Sequence, residues 1–111
     1  MLTKINGGLL ALDESVRRQV MELRDRILGR FSGHIQRLDV ELAKEEGTGY
    51  TTCSVSTELN NGLRILGRHR DRNIEHALTR SFELAATQVI QARRRRMALI
   101  KDVPPGSLGL A

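Results

Sequence analysis

Leu38, Val40 and Leu42 alternate with Arg37, Asp39 and Glu41, the period-two signature of a strand with one buried face. After a loop over Glu45 to Gly49 the alternation resumes. Thr51, Cys53, Val55, Thr57 and Leu59 interleave with Thr52, Ser54, Ser56 and Glu58, which predicts a second strand with the first set inward. Asn61-Gly62 follows. A two-residue hairpin turn needs positive φ at both central positions, which Asn and Gly accept most readily, so a third strand is expected to return from it. On that strand Leu63, Ile65 and Gly67 share the inner face, leaving Arg64, Leu66, Arg68 and then Arg70 outward.

Two other stretches carry helical spacing. Val16, Val20, Leu23, Ile27 and Phe31 form one narrow stripe, with Asp13 as cap, Glu14 in the first turn, and an end near Ser32-Gly33 where Gly33 would cap the last carbonyls. Ile74, Leu78, Phe82, Ala85, Val89 and Ala92 make the second stripe, and either Asp71 or Asn73 can cap its start. Leu2 to Ile5 suits a short strand, and Asn6-Gly7-Gly8 a turn. The order predicts an α+β fold, a two-layer β-α-β-β-β-α sandwich whose four-stranded sheet is read as one antiparallel meander with both helices on its apolar face. One domain is expected over residues 1–100. Residues 101–111 contain Pro104-Pro105-Gly106 and no periodicity, and are expected to be a flexible tail.

Composition narrows the function. Aromatic residues are 3% of the 111, so the core must be aliphatic and few rings remain for stacking on single-stranded bases. Lys plus Arg number 18 against 13 Asp plus Glu, and the basic residues are almost all arginine, whose planar fork suits phosphate. A polyanionic partner is favoured. The candidate contacts are Arg17, Arg24, Arg26 and Arg30 bordering the first helix, Arg64, Arg68, Arg70 and Arg72 on or just past the last strand, and Arg93, Arg94, Arg95 and Arg96 on the second helix. Arg68, Arg70 and Arg72 are expected to project together with their guanidinium groups free, whereas Arg18 points away.

Catalysis and cofactors find no support. His34, His69 and His76 lack zinc-ligand spacing, Gly7-Gly8 lacks the spacing of a dinucleotide loop, and Cys53 reads as a small buried apolar residue, so neither an enzyme nor a cofactor, metal or small-molecule substrate is expected. With one cysteine, no signal peptide and no apolar run long enough for a membrane span, the expected compartment is the cytoplasm.

Ile5-Asn6-Gly7-Gly8 through Leu12-Asp13-Glu14-Ser15-Val16-Arg17, and Asn73-Ile74-Glu75-His76-Ala77-Leu78-Thr79 running from Phe82 into Arg93-Arg94-Arg95-Arg96, resemble the bacterial ribosome hibernation-promoting factors and ribosome-associated inhibitors. The resemblance spans roughly residues 1–96, the family's short, sigma-factor-modulation-like form, and rests on element order, turn positions and helix lengths. Glu75 stands where the family has a helix-start Tyr, and Asn73 and Thr79 stand where it has acids. It implies a partner in the small ribosomal subunit and its rRNA, a site in the tRNA and mRNA channel, and translational silencing. It leaves a homodimer open. Two other readings compete: a basic protein-interaction module pairing through its sheet or through Leu66, and a general double-stranded RNA binder.

Overall fold

A computed structural model describes the backbone of residues 1–102 and the side chains of residues 1–94. The order is β1 (Leu2–Asn6), α1 (Gly8–Leu12), α2 (Glu14–Leu23), β2 (Ile35–Lys44), β3 (Thr51–Leu59), β4 (Arg64–Asp71) and α3 (Ile74–Asp102). The strands form one four-stranded sheet in the order β1-β2-β3-β4, with the helices on one face, as the α+β expectation required.

The meander needs one correction. β2, β3 and β4 pair antiparallel, but β1 runs parallel to β2 with Leu2 beside Arg37 and Ile5 beside Val40. The helical segment between β1 and β2 is the reason. It carries the chain back to the end of the sheet where it started, and a strand re-entering from that end must be parallel.

The strand faces follow the alternation. Cys53, Val55, Thr57 and Leu59 are buried on β3, opposite Leu38, Val40 and Leu42 on β2. Burial pushes the Cys53 thiol up to about 11, so it stays protonated. A register shift between Ile35 and Arg37 lets Ile35 and Leu38 both face inward despite their odd spacing. β4 keeps alternating through Asp71, further than Gly67, while Leu63 lies in the turn and is exposed, not on the inner face.

The turn also departs from expectation. Gly62 has φ +86°, but Asn61 does not have positive φ. Gly62 N–H donates to Leu59 O at 2.9 Å, and Leu59 N–H donates to Leu63 O at 2.9 Å. This is a three-residue loop in which only the last residue is left-handed, so one Gly suffices. Asn60 selects it: its N–H donates to His34 O (2.9 Å) and its Nδ2 donates to Gly33 O (2.8 Å), docking the turn on the connection before β2.

Asp13 caps α2 as expected, accepting from the N–H groups of Ser15 (2.8 Å) and Val16 (3.3 Å). The short α1 ahead of it falls partly where only a turn was expected, and it exposes Leu9 and Leu12. Beyond α2 the chain widens into a π turn over Arg24–Leu28 and tightens into a 3-10 turn over Gly29–Phe31. The wide turn adds a residue to the stripe. Leu28 is consequently the fully buried residue and Ile27 only half-buried. Gly33 is not left-handed; the end is closed by His34 N–H donating to Phe31 O at 2.8 Å.

α3 starts with both proposed caps in use. Asn73 Oδ1 accepts from Glu75 N–H at 2.9 Å and His76 N–H at 3.3 Å, and Asp71 Oδ1 accepts from Asn73 N–H at 2.9 Å. Its stripe of Leu78, Phe82, Ala85 and Val89 is fully buried against the sheet. Ser81 lies in the same seam, its hydroxyl within 2.6 Å of Ala77 O and 2.9 Å of Cys53 O, so that a buried polar group ties helix to strand. At Gly67 the two backbones touch: a Cβ there would meet Ser81 O and come within 2.7 Å of Ala85 N. α3 runs on through Lys101 and Asp102 into the segment expected to be tail; residues 103–111 lie outside the described residues.

Candidate nucleic-acid interface

With the helices covering one face of the sheet, the other stays open among the described residues, and β4 lines its edge. Because Ile65 and Gly67 point inward, Arg64, Arg68 and Arg70 point outward in a row that Arg72 extends beyond the strand. They are anchored to different degrees. Arg64 Nη2 lies 3.7 Å from Glu58 Oε2 on β3, and Arg68 Nε donates to Ser54 Oγ at 3.1 Å.

Arg70 is not free, contrary to the sequence expectation. Its Nε and Nη2 donate to the two carboxylate oxygens of Glu45 at 2.7 and 2.8 Å, and its guanidinium lies 3.8 Å from the centre of the Tyr50 ring. Arg72 approaches the same ring at 5.0 Å. The hydrogen bonds from Arg70 hold the Glu45 carboxyl below its usual range, and Glu45 raises Arg70 in turn. Next door, the Asn73 backbone N–H, followed by His69, lowers Asp71.

Tyr50 is the residue that sequence reasoning passed over. A signal existed: extending the outward set Thr52, Ser54, Ser56 backwards by one step puts Tyr50 on the open face, beside the arginines that β4 brings across.

The helix arginines divide differently. Arg17 Nη1 donates to Ala11 O at 3.0 Å, tying α1 to α2, and Arg24 is held by Thr3 Oγ1 at 3.1 Å and Asp25 at 2.9 Å. Both have structural work within the fold. Arg26 is exposed. Arg30 and Arg93, distant in sequence, both approach Phe31, with their guanidinium carbons 4.6 and 5.9 Å from the ring centre. Arg93 also borders a shallow cleft lined by His34, Leu59, Asn60 and Asn61, at the opposite end of β4 from Arg70. Arg94 is exposed; the side chains of Arg95 and Arg96 lie outside the described residues.

The structure thus assembles two basic groups, one along the open face of β4 and one where α3 passes the end of the first helical segment. Between β4 and β1 the open face is acidic, with Asp39 and Glu41 on β2 and Arg37 already 3.0 Å from Asp39. Among the described residues no group of three His, Cys, Asp or Glu side chains could hold a metal ion, and no helix is long and apolar enough to cross a membrane.

Neither a protein-family model nor a curated protein sequence matches the chain. Two of the solved structures that share its fold cover most of this chain. A ribosomal subunit interface protein from Coxiella burnetii superposes with a TM-score of 0.74 at 12% identity, covering 85% of this chain and 99% of that one. The N-terminal domain of Protein Y from Thermus thermophilus gives 0.64 at 19% identity, covering 80% of this chain and 96% of that domain.

Proposed function

We propose that this chain is a non-catalytic ribosome-binding factor of the hibernation type, which docks on small-subunit rRNA in the tRNA and mRNA channel and silences translation by occupying it. The observation that carries the reading is the pairing of this fold with the outward arginine row of β4, since a fold shared with a ribosomal subunit interface protein here presents phosphate-seeking groups on an uncovered face. Arg68, Arg72 and Arg93 are the principal phosphate contacts in this reading, with Arg26, Arg30, Arg64 and Arg94 beside them, and the ribosome brings the protein to the cytoplasm. Target shape, more than base identity, would be recognised, because the Tyr50 ring is already engaged by the Arg70 and Arg72 guanidinium groups.

Gradient sedimentation of a lysate tests it: the protein should travel with small subunits. A variant carrying Arg68→Ala, Arg72→Ala and Arg93→Ala should bind purified small subunits more weakly, with the slope of log affinity against log salt flattened by roughly two to three units, at about 0.7–0.9 per phosphate contact. Arg18→Ala on α2 should leave both unchanged. Binding that ignores salt would favour pairing through the exposed Leu66 and the sheet instead, and equal affinity for a plain RNA duplex would favour the general duplex binder.

A further inference from the structure

Of the four arginines in the β4 row, Arg70 is the one gripped at two points by a carboxylate among the described residues. The grip is built, not incidental. Glu45 opens the β2–β3 loop, and its own N–H donates to Tyr50 O at 2.8 Å, closing that loop. Thr48 Oγ1 accepts from Tyr50 N–H at 3.2 Å and fixes the far side, while the Tyr50 ring lies against the Arg70 guanidinium. A carboxylate met by two parallel N–H donors presents the same pair of oxygens that a phosphate would offer to this fork.

We infer that Glu45 is a specificity-determining residue of the interface: it occupies the Arg70 fork in place of a phosphate, so that an RNA gains Arg70 only by displacing it. This rests on the RNA-binding reading above. An arbitrary polyanion brushing the sheet meets a neutral ion pair at this corner. An RNA whose backbone already engages Arg68 and Arg72 holds its next phosphate at Arg70 long enough to exchange with the carboxylate. Selectivity then comes from an element that works against the wrong partner as well as from contacts with the right one.

The test titrates wild type, Glu45→Gln and Glu45→Gln/Arg70→Ala with labelled duplex RNA and with purified small subunits between 50 and 200 mM salt. Glu45→Gln keeps the size of the side chain and the backbone bond to Tyr50. Its affinity for duplex RNA should rise and its salt slope steepen by roughly 0.7–0.9, so that it loses about threefold more affinity than wild type across that fourfold range of salt. Its preference for small subunits over duplex should shrink. The gain should disappear in the double variant, and Glu45→Ala should reproduce it if Glu45→Gln proves misfolded by circular dichroism. Unchanged duplex affinity and slope in the folded Glu45 variants would overturn the inference alone, provided wild type binds small subunits. A gain that survives Arg70→Ala would also overturn it, since the effect would then be general charge removal. No salt-dependent binding by any of these proteins would overturn the proposed function and this inference together.

Discussion

Thr57 is fully buried on the inner face of β3, and among the described residues its hydroxyl is the buried side-chain oxygen without a hydrogen-bond partner. Leaving such a group unsatisfied costs about 1–3 kcal/mol, whereas a methyl of the same shape costs nothing in desolvation. Thr57→Val should therefore stabilise the protein by about 1 kcal/mol, and Thr57→Ser, which keeps the hydroxyl and removes a methyl, should not. Urea denaturation of the three proteins decides. Gly67 makes the opposite case. The Cβ that Ala would add points into the backbone of α3, which cannot yield as a flexible side chain could. Gly67→Ala should cost at least about 2 kcal/mol, towards the upper part of the range for overpacking, and a wild-type melting temperature would show that helix and strand are further apart than described.

Elements show where the sequence was legible and where it was not. β3 could be read residue by residue because its alternation is uninterrupted, β4 pairs with it without a break, and the register shift on the β2 side falls only opposite its last residues, Glu58 and Leu59. The first helical segment was legible up to Leu23. Beyond it Ile27 and Leu28 are both apolar, so spacing alone could not reveal that a π turn hands the buried position from one to the other. Asn60-Asn61-Gly62 admits a two-residue or a three-residue loop, and the choice lies with the bonds from Asn60 to Gly33 and His34, which no local pattern records. For the interface, alternation showed which arginines face outward, but the carboxylate that takes up Arg70 comes from a loop with no periodicity at all. The Gly62 requirement survives the change of loop type. With φ +86°, Gly62→Val should destabilise the domain by more than about 1 kcal/mol, and calorimetry showing an unchanged melt would place that residue outside the left-handed region.

Across the whole molecule the charges are unevenly divided. The open face changes from acidic on β2 to basic on β4, and the second basic group lies away from that edge, where α3 meets the Phe31 corner. A polyanion therefore meets one edge and one end of the protein rather than a uniform coat. The parallel pairing of β1 bears on how the molecule comes together. β2, β3 and β4 are joined by hairpins and can zip locally, whereas β1 must wait for the segment from Gly8 to His34 to fold over before it finds β2. β1 is also short, has one strand neighbour and buries no side chain fully. It should dock last and open first, without unfolding the three hairpin strands and α3. Native-state hydrogen exchange should find the amides of β1 less protected than those of β3, and equal protection in the two would refute that order of assembly. Each such opening breaks the bond from Arg24 to Thr3 and leaves Asp25 as the partner of that guanidinium among the described residues, so a basic side chain that bridges β1 to the helical segment gains reach whenever the edge of the sheet lets go.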